Sequence, residues 1–183
     1  MGPAAVRRSP METSLTPEEM RELLETERTV ILATTRKSGS PVMHALWFTY
    51  LDDAIYINIQ SSSFKYRNIQ RDNRVCCLVE TGESYFELRG VMVEGRAVPV
   101  TDPEERARVQ AAADRKAERI GSGLEEMPSY FRDSRHRRLE RGDRVMLKIP
   151  FERVRTWDFG KVRDHYRKAS GAPRARSPRE GEA

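Results

Sequence analysis

Apolar residues fall at Met20, Leu23 and Leu24, with acidic and basic residues between them. That spacing marks one face of a helix. Thr16 stands where an N-cap belongs, Pro17 suits the first helical position, and Glu19 completes a capping box. The pattern predicts a short amphipathic helix over roughly residues 16–28. The period then changes. TVILATT (29–35) is apolar and β-branched and reads as a buried strand. RKSGSP (36–41) is a turn, and VMHALWFTYL (42–51) a second strand. Asp52-Asp53 makes a tight turn into AIYINIQ (54–60), so these two strands form a hairpin.

QSSSFK follows, then a short helix to about Arg71 and a fourth strand, RVCCLVE (74–80). YFELRGVMVEGRAVPV (85–100) reads as a long strand or a bent pair. Gly90 and Gly95 mark bulges or close approaches in it. TDPEERARVQAAADRKAERIG (101–121) is a helix, capped by Thr101 or Asp102, opened by Pro103 and closed by Gly121. Residues 122–142 read as partly helical, a cover over a substrate pocket. Residues 143–161 supply a sixth strand and a final extended piece. Strands dominate, several are consecutive and antiparallel, and helices intervene at three points. This order predicts a mainly β, α+β chain forming a closed or nearly closed Greek-key barrel.

The 183 residues, 38% apolar and 33% charged, suffice for one domain with a core. It is expected over 14–161, between a flexible leader (1–13) and a basic, disordered tail (162–183). No apolar run approaches the roughly 20 residues of a membrane helix. MGPAAVRRSP has arginines but no apolar stretch of a secretory signal, so a cytoplasmic location is expected. The formal charge of +5 is concentrated at the two ends. A basic tail can touch nucleic acid, but no basic stripe in the middle is interleaved with stacking aromatics, so nucleic acid is not the expected partner. Cys76 and Cys77 are adjacent; on a strand they point to opposite faces and cannot share a metal or a disulfide. They read as small hydrophobes.

The chemistry concentrates where the third strand enters a helix. A helix N-terminus offers free N–H groups and a partial positive charge. Ser61, Ser62 and Ser63 add hydroxyls there, Lys65 adds a full charge, and Arg67 is placed to add a second. The same residues also read as an ordinary serine cap with surface basics. The sequence has no nucleophile motif and no metal spacing such as H-E-x-x-H. Of its three histidines, His44 lies on the second strand, while His136 and His165 fall in basic segments.

Three motifs, in order, decide how this joint is read: S-G-x-P-x-x-H-x-L-W-F (Ser38–Phe48), K-x-x-N-I-x-x-D-x-R-V (Lys65–Val75) and V-E-G-R-A-V (Val93–Val98). The chain resembles the pyridoxamine 5′-phosphate oxidase-like superfamily over roughly residues 17–158. These are flavin and deazaflavin oxidoreductases with a split β-barrel. The resemblance implies a six-stranded split barrel and a two-fold homodimer, with each cofactor in the groove between subunits. It implies that Ser63 and Lys65, with Ser61 and Ser62, hold the cofactor phosphate. The second strand, through His44, Ala45, Leu46 and Trp47, would run along the ring. Trp157 would pack on the partner subunit near it.

His44 and Phe64 stand where the pyridoxine phosphate oxidases carry arginines, and the typical C-terminal ending of that branch is replaced by RVRTWDFGK. These departures argue against that activity. The chain looks more like the branch that uses coenzyme F420, a deazaflavin with an acidic oligoglutamate tail. Arg67, Arg71, Lys161 and Arg163 are candidates to receive that tail; FMN would need only the phosphate clamp and the ring slot. The implied function is hydride transfer between the cofactor and a small organic substrate. FMN chemistry on the same fold, or flavin or haem binding without turnover, are the alternatives. The cofactor carries the hydride chemistry, so no catalytic side chain is required.

Overall fold

The computed structural model describes residues 13–123, 128–130 and 143–170. Eight strands are present among them: β1 (Thr29–Thr35), β2 (Pro41–Leu51), β3 (Ala54–Gln60), β4 (Arg74–Thr81), β5 (Arg89–Arg96), β6 (Val98–Pro99), β7 (Arg144–Pro150) and β8 (Arg153–Asp158). They form one antiparallel sheet in the order β6-β7-β3-β2-β1-β4-β5-β8. Helices α1 (Pro17–Thr26), α2 (Phe64–Arg71), α3 (Pro103–Ile120) and α4 (Phe159–Ser170) lie around it. The architecture is the split β-barrel expected from the sequence, with more strands than six.

The added strands have clear causes. The long stretch 85–100 begins as a 3₁₀ turn (Tyr85–Glu87) and breaks again at Ala97. Ala97 turns its N–H to Asn73, and Val98 and Pro99 then pair with β7 instead of β4. One stretch of chain therefore runs from β5, next to one end of the sheet, to β6 at the other, and the sheet curls. At the crossing β5 passes directly over the end of β7; a Cβ on Gly95 would overlap the Pro150 carbonyl oxygen. The close approach predicted at Gly95 is real. So is that at Gly90, whose missing side chain makes room for the indole of Trp157. β8 pairs outside β5 as the eighth strand.

Alternation along the strands fills the interior with Val30, Leu32, Ile55, Ile57, Leu147 and Ile149, all fully buried. β3 is buried on both faces, because α3 covers its outer side over Tyr56, Val100, Val109 and Met146. The Asp52-Asp53 turn has both residues at positive φ, 48° and 49°, the geometry of a two-residue hairpin of the primed type. α1 carries the predicted capping box between Thr16 and Glu19. Cys77 is fully buried and Cys76 half-buried on the outer face, as adjacency required. Burial pushes the Cys77 thiol up to about 12 and also raises that of Cys76, so neither is a ready nucleophile.

Where the sequence places a disordered tail from residue 162, the chain is helical to Ser170: α4 runs Phe159–Ser170. Its first turn packs Phe159 against Tyr85, ring centroids 5.0 Å apart. The leader up to residue 12, the rest of the tail and most of segment 122–142 lie outside the described residues.

Lys116 of α3 is a half-buried cation. Its ammonium lies 3.6 Å from the centre of the Phe48 ring and donates to the carbonyls of Leu24 (3.0 Å) and Phe48 (3.4 Å), tying α1 and β2 together. Burial lowers its pKa to about 8. Above that pH the folded chain has released a proton that the unfolded chain keeps, so stability gains as pH rises. Relative to Lys116→Met, the wild type is expected to gain up to about 1.4 kcal/mol per pH unit above pH 8 until the unfolded lysine also deprotonates. Urea unfolding of both proteins from pH 7 to 10 measures the gap; a constant gap contradicts the burial of this charge.

Candidate functional site

The pairing of β2 with β3 covers only Phe48–Leu51 against Ala54–Ile57. On its other side β2 pairs with β1 along Pro41–Trp47. Continuing the first register would set Gln60 against Ala45, but the strands have parted. This is the split in the barrel. Among the described residues, Pro41 to Leu46 has β1 along one edge and no strand along the other. Every second residue of this stretch presents its N–H and C=O to the open edge.

α2 begins across the gap. Ser61 donates from both its N–H (2.9 Å) and its hydroxyl (3.2 Å) to the carbonyl of Asp143, which pins the turn to the start of β7. Ser63 is the N-cap of α2: its Oγ accepts from the Tyr66 N–H at 3.3 Å. The cap is observed, and it leaves room for an anion at the same joint. A capping hydroxyl that accepts still has its own proton to donate, and the first N–H groups of the helix remain open to an anion. Ser62 is exposed. The hydroxyl proton of Ser61 is already given to Asp143, so of the three serines Ser62 and Ser63 are the better donors.

The rest of K-x-x-N-I-x-x-D-x-R-V is structural. Asn68 and Ile69 are buried, and Asn68 donates to the Thr34 hydroxyl at 3.2 Å. Arg71 donates to the Thr35 carbonyl and to Asn68, holding α2 on β1. Asp72 pairs with Arg74 at 2.8 Å, and that contact holds its carboxyl at about 2. Lys65 acts on His44: its charge is the larger of the two cationic influences there.

The second such influence comes from Arg36, in the turn that sequence reasoning read only as a turn. The Arg36 and Arg67 guanidinium groups each lie 5.8 Å from the ring centre of Phe64, which is 48% exposed. Arginine favours such flat contact with an aromatic face. Among the described residues no carboxylate pairs with Arg36, Lys65 or Arg67. Three cations thus converge unneutralised on one end of the split. The signal for Arg36 was its place just before S-G-x-P, at the end of β1 where β2 turns back beside the gap.

His44 stands opposite Leu32 on β1 and so shares its interior-facing side. Its Nδ1 is buried with no hydrogen-bond partner. Burial first, then the charges of Lys65 and Arg36, lower its pKa, so the imidazole is neutral at pH 7. Leu46 lies on the same side, and Ala45 and Trp47 on the outer one. Trp47 packs near Gly123 and Arg28; Phe48 is the one that enters the core.

Other expected residues lie elsewhere. Trp157 sits on β8, four strands along the sheet from β2, with its indole on the main chain of Gly90. Lys161 is tied to Glu19 (2.7 Å) and the Ser14 carbonyl (2.6 Å), and Arg163 lies beside Asp164. With Arg71 engaged on β1, only Arg67 of the four candidates for an acidic tail stands at the clamp. A half-open hollow of about 470 Å³ lies apart from it, around Tyr50, Asp52 and Lys116.

The residues present fit a phosphate-bearing group with a flat polar ring. The unpaired cations and the Ser62 and Ser63 hydroxyls suit a phosphate. The open β2 edge suits the donors and acceptors of a ring, and the orphaned Nδ1 of His44 suits either. Among the described residues no cluster of His, Cys, Asp or Glu is arranged to hold a metal, and no helix is long and apolar enough to cross a membrane.

Residues 16–158 match the pyridoxamine 5′-phosphate oxidase family. No curated protein matches the chain in sequence. Among solved structures it resembles a conserved hypothetical protein from Mycobacterium tuberculosis at 27% identity, over 97% of this chain and 100% of that one, with a TM-score of 0.66. It also resembles an FAD-binding protein from Mesorhizobium loti (18% identity, 78% and 93% coverage, TM-score 0.55). An F420 reductase is a further neighbour (24% identity, 76% and 98% coverage, TM-score 0.52). Haem-storage and haem-binding proteins share the fold too. The likenesses below 25% identity speak for the fold alone.

Proposed function

The chain belongs to the pyridoxamine 5′-phosphate oxidase family, and from that premise we propose that it is an oxidoreductase that holds coenzyme F420 in the barrel split. One observation carries the reading: among the described residues, Arg36, Lys65 and Arg67 converge without carboxylates beside a stretch of β2 that pairs on one edge only. Lys65, Arg36, Ser62 and Ser63 hold the phosphate. The backbone of His44–Leu46 meets the polar edge of the ring. Arg67, at the rim, is the residue placed to meet an acidic tail. The bound cofactor supplies hydride exchange with a small organic substrate. The protein's part is to orient the ring and exclude water. His44 and Phe64, in place of arginines, argue against pyridoxine phosphate as the substrate.

The test is a pair of titrations, FMN and coenzyme F420, on cofactor-stripped protein. Tight binding of F420 with turnover of the reduced form supports the proposal. Tight binding of FMN alone makes the chain a flavin oxidase or reductase of the same fold. Binding without turnover makes it a carrier. Binding of neither removes the phosphate role from the clamp.

The site is open, and a second copy of the chain is its proposed cover. The outer face of β2, β1, β4 and β5 carries Met43, Ala45, Ala33, Ile31, Cys76, Leu78 and Met92 side by side in register. All are at least partly exposed. An apolar sheet face of this kind calls for a partner, and the two-fold dimer supplies it, with Trp157 offered to the neighbouring site. Met43 is 69% exposed, so Met43→Asp costs the single chain little. It is expected to shift sedimentation from a dimer to the 21.1 kDa chain; a variant that stays dimeric rules this face out.

A further inference from the structure

We propose that His44 takes up a proton when an anionic group settles between Arg36 and Lys65, so that ligand binding at the split is coupled to pH. The inference rests on reading these cations as a phosphate clamp and goes beyond it. Nδ1 of His44 is buried without a partner. The charged groups that reach its side chain are Lys65 from α2 and Arg36 from the β1–β2 turn. Opposite it on β1 stands the apolar Leu32. Among the described residues no carboxylate acts on it.

In the free chain the imidazole is therefore squeezed from both directions. It is partly desolvated, and among the described residues its charged neighbours are positive; each effect disfavours imidazolium. A phosphate between the same two cations inverts this balance. It neutralises the groups that repelled the proton and brings oxygens that accept from a protonated nitrogen. The orphaned Nδ1 is one atom able to satisfy that new acceptor. His44 is the group of the clamp whose ordinary pKa lies near neutral pH. The bound form holds a proton that the free form lacks, and affinity rises as pH falls between the two His44 pKa values. The limiting slope is about tenfold per pH unit.

Calorimetric titration of FMN and of coenzyme F420 at pH 6.5, in two buffers of different ionisation enthalpy, reads the proton count directly. The wild type is expected to take up more protons per site, by up to one, than His44→Gln; titration of the ligand itself cancels in the comparison. Equal uptake by the two proteins, with binding intact, overturns the inference and leaves the clamp standing. Failure of both cofactors to bind the wild type removes the clamp and the inference together. Should His44→Gln fold poorly, the His44 ring-proton resonance of the wild type, titrated with and without ligand, gives the same answer. An upward shift of its midpoint on binding supports the coupling, and an unchanged midpoint refutes it.

Discussion

Lys65→Ala is expected to weaken cofactor binding by about 1–3 kcal/mol, roughly five- to 150-fold, while leaving the fold intact. The asymmetry follows from what Lys65 does and does not touch. It sits in the first turn of α2, but the helix is held by others: the Ser63 cap, buried Asn68 and Ile69, and Arg71 on the end of β1. Lys65 makes no ion pair among the described residues, so its removal breaks no structural contact there. The loss falls on an anion in the split. Fluorescence titration of the variant, with a thermal melt beside it, separates the two effects. An unchanged Kd would return Lys65 to the solvated surface, and a large fall in Tm would make it structural. His44 should register the same change: with one of its two cationic neighbours gone, its pKa rises toward the ordinary value.

Ile57→Ala is expected to cost about 2–5 kcal/mol of stability, the usual range for emptying a sealed core position. Ile57 is buried to 1% exposure, and two registers meet at it: Phe48 of β2 on one side and Leu147 of β7 on the other. It is the last residue of β3 paired with β2, the rung beyond which the barrel opens. Its side chain therefore fills the interior and also fixes where the split begins. Guanidinium unfolding should show a lower midpoint at an unchanged slope. A loss below about 1 kcal/mol would mean that the rung collapses freely around the gap. Ligand affinity should fall as well, because the β2 edge and α2 then lose their fixed separation.

Local chemistry made much of the fold legible. The Thr16–Pro17–Glu19 box, the Asp52-Asp53 turn and the β-branched run TVILATT each determine their structure within a few residues, and they appear where expected. The passage from β5 to β6 was not legible in the same way. Of the long strand and the bent pair that 85–100 allows, the bent pair occurs, but nothing local sets the break at Ala97; the cause is the distant carbonyl of Asn73 and the free side of β7. α4 was missed for a related reason. Its basic residues resemble a solvated tail, and its anchors, Tyr85 for Phe159 and Glu19 for Lys161, lie far back in the sequence.

The site divides along the same line. The Ser63 cap and the start of α2 stand where the sequence predicts them because capping is local. Arg36 was missed because only the curl of the sheet brings the β1–β2 turn against α2. Arg71 and Lys161 were proposed for a ligand because a sequence lists charges without their partners. In the fold both are already engaged with their own chain.

The unpaired stretch of β2 has a consequence for how the protein behaves in a tube. A strand edge with free amides and carbonyls is a template for the strand of any neighbouring molecule. Here it is bordered by exposed Met43 and Ala45, and Pro41 protects only its first residue. Until a ligand lines it, the edge invites intermolecular β-pairing. A bound ring that occupies those amides would then act as a solubility factor, and protein stripped of it should form light-scattering assemblies at concentrations where the loaded protein stays clear.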